Sequence, residues 1–192
     1  MLNHTDLAII WQKNYINSDN LRSSITYIPE LLKLIKAKTV FEVGCGQSHI
    51  WEIPNISYIG ADFCGDLIDD NKRNYPEVAF IRFDALKHDI PVSDVVIAKD
   101  LFEFLPNDEV RHIIQNIYHS GSKWLIATTD PRVKGKPNTD EGIYRPINLQ
   151  EFGCKLVTLT KNDIGLFELS RRKRYSDDGE PVAVKNLEMA TV

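Results

Sequence analysis

The apolar positions change period along the chain. Over 5–16 (TDLAIIWQKNYI) and 21–37 they recur at helical spacing, and Asn17-Ser18-Asp19-Asn20 punctuates the two predicted helices. From Thr39 the period shortens. Residues 39–43, 56–61, 78–81, 94–98 and 122–128 are short runs rich in β-branched and aromatic side chains. Helical candidates at 64–74 and 107–119 separate them, with a short turn at 100–105. In 107–119, Val110, Ile113, Ile114 and Ile117 share one face. Strands alternating with helices predict an α/β fold, a mostly parallel sheet covered on both faces. The link from Gly44 to Ile56 is tight, so the first crossover helix must be very short.

Beyond the fifth strand, 129–150 (TDPRVKGKPNTDEGIYRPINLQ) is rich in Pro, Gly, Asn and Asp and reads as a long loop of the functional or mobile kind. Residues 154–160 and 165–170 then form a candidate antiparallel hairpin across Lys161-Asn162-Asp163-Ile164. Five strands plus this hairpin make seven. The organisation expected is one domain over 1–192: helical segment 1–37, core 38–170 and tail 171–192.

Composition narrows the class. The hydrophobic share of 43% supports a packed core, and 23 basic against 27 acidic residues leave a net charge of −4. Such a chain is a poor general binder of polyanions, and Arg171-Arg172-Lys173-Arg174 is a short run of the solvated kind. Three cysteines, Cys45, Cys64 and Cys154, provide neither a disulfide framework nor a CxxC zinc pair, so no metal is expected. No signal peptide or membrane-spanning run is visible, and a cytoplasmic setting is expected.

Chemistry concentrates in Val40-Phe41-Glu42-Val43-Gly44-Cys45-Gly46-Gln47-Ser48, a strand running into a Gly-x-Gly turn. Glycine there permits positive φ and lets backbone approach a ligand, and the turn's N–H groups favour a negative group. A dinucleotide site needs a third small residue where this chain has His49, which speaks against NAD or FAD. Glu42 beside the turn would repel a pyrophosphate but attract an ammonium. Asp62 follows Gly44 by 18 residues, roughly the spacing at which an acid meets ribose hydroxyls. Phe63 offers an adenine face, and Asp84, before Ala85, an acceptor for an adenine amino group. Taken singly, a GxG is equally an ordinary turn and a lone Asp a cap. Their order, turn then acid then acid after successive strands, favours a nucleoside site.

These residues resemble class I S-adenosylmethionine-dependent methyltransferases over roughly 10–150. Glu42-Val43-Gly44-Cys45-Gly46 is similar to the family's first motif, with Ser48 in place of the third glycine. Tyr58-Ile59-Gly60-Ala61-Asp62-Phe63 resembles the second, Asp84-Ala85 the adenine-side motif, and Ser93 to Leu101 the fourth strand with the segment that closes over the methyl group. A narrower likeness, to a group of small methyltransferases, rests on Trp11 and Tyr15, on Lys99-Asp100-Leu101-Phe102-Glu103-Phe104-Leu105-Pro106, on Leu125-Ile126-Ala127-Thr128-Thr129 and on Gly142-Ile143-Tyr144-Arg145-Pro146-Ile147-Asn148-Leu149. Phe104 stands where that group has histidine, so a base is lost there. Gln150-Glu151-Phe152-Gly153 replaces a Pro-Pro-Phe-like stretch.

The resemblance implies a Rossmann-like three-layer sandwich and a methyltransferase using S-adenosyl-L-methionine on a small-molecule or sugar acceptor, at oxygen. Its cofactor residues would be Glu42, Gly44, Cys45, Gly46, Asp62, Phe63, Asp84, Ala85 and Lys99, with Trp11 and Tyr15 on an N-terminal lid. An oxygen acceptor needs a base, and Asp100, where the fourth strand ends, is the candidate; a helix cap is its equal alternative. Tyr144, Arg145 and Asn148 are the candidate acceptor residues, Arg145 either by binding an anion bidentately or by pinning its loop to the sheet. The rival readings are a nucleic-acid methyltransferase, disfavoured by the charge and by Asp100-Leu101-Phe102-Glu103 in place of [ND]-P-P-[YF], and a non-catalytic cofactor-binding module.

Overall fold

The computed structural model describes residues 27–47, 52–140, 142–161 and 163–169. The readings at 5–16 and 171–192, and with them Trp11, Tyr15, Ser48 and His49, lie outside the described residues. Helix α1 (Tyr27–Leu34) buries Ile28, Leu31 and Leu32. It stops before the expected end at 37. Lys36 turns left-handed at φ 55, and the Ala37 amide reaches back to Leu32 O at 3.0 Å, the closure of a helix C-terminus.

Strands β1 (Thr39–Val43), β2 (Ser57–Asp62), β3 (Ala79–Arg82), β4 (Val95–Ala98) and β5 (Trp124–Thr128) follow, with α2 (Gly65–Asn74) after β2 and α3 (Asn107–His119) after β4. The hairpin is β6 (Lys155–Leu159) and β7 (Ile164–Glu168). Strand ends move by one or two residues from the expected ones. Asp62 still pairs with Arg82 and so belongs to β2. Ser122, expected in β5, is instead buried outside the sheet and takes the Ser93 amide on its hydroxyl at 3.0 Å.

Among the described residues one seven-stranded sheet forms, in the order β3-β2-β1-β4-β5-β7-β6. The first five pair parallel; β7 runs antiparallel to β5 and to β6. Alternation sorts side chains to two faces. Phe41, Val43, Val96, Ala98, Leu125 and Ala127 meet Val110, Ile113, Ile114 and Ile117 of α3 on one side. Val40, Val95, Ile97 and Ile126 meet Ile28, Leu31 and Leu32 of α1 and Ile68 of α2 on the other. This is the three-layer α/β architecture with a C-terminal antiparallel hairpin. Burying each large aliphatic side chain contributes roughly 1.5–3 kcal/mol, so the four on α3 suffice to hold that helix on the sheet. At the opposite edge from the turn, Asp94 Oδ2 accepts the Lys38 and Thr39 amides at 2.9 and 3.1 Å and clips β4 to β1. Those amides hold its carboxyl below the usual range. Among the described residues no helix is long and apolar enough to cross a membrane.

The strand order reverses between β1 and β4. Loops leaving their carboxyl ends go to opposite faces and open a crevice there, which is where ligands bind in open α/β sheets.

Candidate functional site

The Gly-x-Gly turn sits at that crevice. Gly44 and Gly46 both have positive φ, 68° and 50°. A Cβ on Gly44 would stand 3.1 Å from Leu101 Cδ1, so the segment after β4 packs directly on the turn. A Cβ on Gly46 would meet nothing within 4 Å: this glycine faces open space. The turn is held from below. Asp62 Oδ2 accepts the Gly46 amide at 3.2 Å and its Oδ1 the Cys64 amide at 3.0 Å. Asn71 of α2, buried, donates to Gly46 O at 2.8 Å. Sequence reading had passed over Asn71, whose only signal was a polar residue among the inward positions of α2.

The acids divide by environment. Glu42 is buried, and its Oε2 accepts the Tyr58 hydroxyl at 2.5 Å. Its charge lies beneath the turn, where it raises the Cys45 thiol and stabilises protonated Lys99 against burial. Burial, with Glu42 and Asp62 nearby, pushes the Cys45 thiol far above its ordinary value, so it is an inert apolar residue there. Burial also raises Asp62, against three amide hydrogen bonds that favour its charge. Each carboxylate oxygen has two acceptor positions, so Asp62 retains capacity beyond its amide bonds.

Beside β2 and β3 a cavity of about 360 Å³ is lined by Phe63, Arg82, Phe83, Asp84, Lys87 and His88, within the range of ligand pockets. Asp84 lies at its wall, accepting the Leu86 amide at 3.0 Å and the Lys87 ammonium at 2.7 Å. Burial opposes these partners, but they win and lower its carboxyl. Ala85 is buried in the core behind it.

A second cluster forms where β4 and β5 end. Asp100 has φ 50, a left-handed conformation that Asp tolerates better than most residues. Its amide donates to Thr128 Oγ1 at 2.8 Å, and that hydroxyl donates back to Asp100 Oδ1 at 2.8 Å. Lys99 forms an ion pair with Asp100 Oδ2. The short 3-10 turn Phe102–Phe104 brings Glu103 next to them, 3% exposed. Burial, then the Asp100 charge, push its carboxyl up to about 8. By sequence, Glu103 falls in the short turn at 100–105 and is assigned no role. Nothing local marks it, because its burial comes from the loop that folds over it.

That loop, 129–148, is anchored. The Asp130 amide donates to Ile147 O at 2.7 Å, the Gly142 amide to Phe104 O at 2.8 Å and the Arg145 amide to Glu103 O at 2.8 Å. Of the three acceptor candidates, two are built into the loop itself. Arg145 is buried and its Nη2 donates to Leu105 O and Asn107 Oδ1 at 2.8 and 2.9 Å. A bidentate grip on an anion uses Nη2 in either common fork, and here Nη2 is taken by Leu105 and Asn107, the contacts that the pinning alternative requires, while Nε and Nη1 are buried without a hydrogen bond among the described residues. Asn148 caps the 3-10 turn Leu149–Phe152 through Gln150 N and donates to Val133 O. Tyr144 alone of the three is exposed, at 62%, with its ring 5.5 Å from that of Phe104. Among the described residues no group of three or more His, Cys, Asp or Glu is placed to hold a metal ion.

The fold recurs in solved structures. The chain shares a methyltransferase fold. Human N-acetylserotonin methyltransferase in complex with SAM superposes with TM-score 0.61 at 15% identity, covering 84% of this chain and 55% of that one. Magnesium protoporphyrin IX methyltransferase from Synechocystis PCC 6803 with bound SAH gives 0.57 at 15%, covering 88% and 87%. The mitomycin 7-O-methyltransferase MmcR gives 0.56 at 14%, covering 76% and 53%. This chain thus spans about half the length of the first and third. No family model and no curated protein matches its sequence.

Proposed function

We propose that this chain is an S-adenosylmethionine-dependent methyltransferase acting at oxygen on a small-molecule or sugar acceptor. One observation carries the reading. Gly46 opens to empty space at the β1/β4 switch point, on a turn whose Gly46 amide is anchored to Asp62 and whose Cys45 amide is anchored to Ala61 O, one strand away from a cavity with an aromatic and an acidic wall. The donor set fits the cofactor. Gly44, Cys45 and Gly46 would present backbone to its amino-acid end, with Glu42 supplying negative charge underneath. Asp62 has an acceptor position left for a ribose hydroxyl beside its three amide bonds, and Phe63, Asp84 and Ala85 would border the adenine. Lys99 would stand beside the methyl group, and Trp11 and Tyr15 would belong to a lid over the cofactor, while α1 (Tyr27–Leu34) is packed into the core and forms no part of it. The fold neighbours named for N-acetylserotonin, protoporphyrin and mitomycin support a small acceptor.

When bound, the cofactor supplies an electrophilic methyl group on a sulfonium. The chain's part is to align the acceptor, exclude water and remove a proton. Asp100 takes the acceptor's hydroxyl proton. Its side chain is 25% exposed beside the turn, Lys99 and Thr128 fix its direction, and burial raises its carboxyl so that it is a better base than a solvated one. Tyr144 and Phe104 would form the acceptor's aromatic wall. Calorimetry with S-adenosylmethionine and its demethylated product tests the proposal. Saturable heat with both, and label transfer from methyl-labelled cofactor to a panel of hydroxylated small molecules, is expected. No heat and no thermal shift with either nucleoside sinks it, and binding without turnover on any acceptor would favour a non-catalytic module.

A further inference from the structure

Residues 142–146 lie over the turn Phe102–Phe104, and few groups hold them there. The Gly142 amide donates to Phe104 O and the Arg145 amide to Glu103 O, each at 2.8 Å. Arg145 Nη2 adds its two bonds, to Leu105 O and Asn107 Oδ1. Apolar burial adds little, since Ile143 and Tyr144 are 57% and 62% exposed and Pro146 is exposed as well. Immediately beyond, the chain is fixed. Ile147 and Leu149 belong to the core, and the Asp130 amide donates to Ile147 O at 2.7 Å.

Against those four bonds stand three buried groups that find no hydrogen-bond partner among the described residues: Glu103 Oε2, Arg145 Nε and Arg145 Nη1. All three sit where the segment meets the turn, on two residues joined through the Arg145 amide and only 3% and 6% exposed. Arg145 therefore pulls both ways: Nη2 fastens the segment, while Nε and Nη1 are desolvated for nothing. A buried polar group left without a partner costs at least as much as a typical hydrogen bond contributes, and more if it is charged. The four bonds and the three unmatched groups come near to cancelling. Lifting the segment returns all three groups to water, so its closed state lies at the low end of the local stabilities that one folded chain contains.

We infer that 142–146 is a gate over the turn Phe102–Phe104: it lifts by local opening, hinged at the buried Ile147, while the sheet stays folded, and the unmatched groups of Glu103 and Arg145 keep its closed state weak. Lifting it frees Phe104, whose ring lies 5.5 Å from that of Tyr144, four residues along the chain from Asp100. Its use as the entrance for an acceptor rests on the reading of Asp100 as base; the opening itself does not.

Native-state hydrogen exchange on the full chain, with no ligand added, reads the opening residue by residue. Relative to their intrinsic rates, the Gly142 and Arg145 amides should exchange about a hundredfold or more faster than those of Ile97 and Ile126 in the central strands. Glu103→Met then removes one unmatched group. At pH 6, where the wild-type carboxyl is protonated, this takes no charge away from Arg145, and protection of the Gly142 and Arg145 amides should rise about tenfold or more. Exchange of those two amides only together with Ile97 and Ile126, by global unfolding, overturns the gate. Protection unchanged or lowered in Glu103→Met overturns the part given to Glu103. If that variant does not fold, the wild-type comparison still decides whether the segment opens. Local opening in a chain that gives no heat with either nucleoside removes only the functional reading, and nucleoside heat without local opening removes only the gate.

Discussion

Removing the charge at position 103 should stabilise the fold, and increasingly so as pH rises. The carboxyl of Glu103 ordinarily releases its proton at 4.5; in the folded protein it does so at about 8. Between those values the folded chain keeps a proton that the unfolded chain has lost, so the unfolded state binds fewer protons and stability declines with rising pH. One unit of displacement is worth about 1.4 kcal/mol. The penalty therefore grows to about 3 kcal/mol at pH 7 and levels off on the order of 5 kcal/mol above pH 8. Set against a typical domain stability of about 5–15 kcal/mol, this is a large fraction. Glu103→Gln keeps the shape and removes the titration. Urea unfolding of both proteins at pH 5, 6, 7, 8 and 9 should show near-equal midpoints at pH 5. The variant's advantage should then widen by about 1.4 kcal/mol per pH unit up to pH 8, with m unchanged. A difference that stays constant across that range, or a variant less stable at pH 9, refutes the reasoning.

Other outcomes follow from the turn and the loop. Gly46→Ala adds a Cβ into open space at φ 50; it should lose about 1–2 kcal/mol of stability from left-handed strain yet abolish measurable calorimetric heat with the demethylated cofactor. Gly44→Ala adds the Leu101 contact at 3.1 Å and should cost more stability than Gly46→Ala in thermal melts. Asp62→Asn leaves one of the Gly46 and Cys64 amides facing an NH2 and removes an ionised acceptor; nucleoside affinity should fall about 10–100-fold, in line with the loss of one charge-assisted hydrogen bond. Arg145→Met removes the bonds to Leu105 O and Asn107 Oδ1, so limited proteolysis within 131–148 should accelerate while thermal stability falls by about 2–4 kcal/mol.

Much of the fold was legible because it depends on local periodicity. Period-two runs and the four-residue apolar stripe of α3 identify themselves in any context, and helix 107–119 was read with its observed ends. Boundaries were less secure where one residue's conformation or one pairing decides them, as with the left-handed Lys36 ending α1 or Asp62 pairing with Arg82. Residues 129–150 read as a long loop, functional or mobile, because Pro, Gly and Asn show where a regular element is broken. They do not show that Gly142 and Arg145 will hydrogen-bond the 3-10 turn after β4.

The candidate site divides the same way. The sequence by itself determined the Gly-x-Gly turn, the acids after β2 and β3 and Asp100 at the end of β4, because each is tied to a strand end and strand order in a parallel sheet brings strand ends together. Only the tertiary structure decided which polar groups lose their water. Arg145 became an anchor, Asn148 a cap and Glu103 a buried acid because a loop some forty residues downstream closes over the end of β4. Desolvation depends on everything packed around a group, and no short stretch of sequence carries that information.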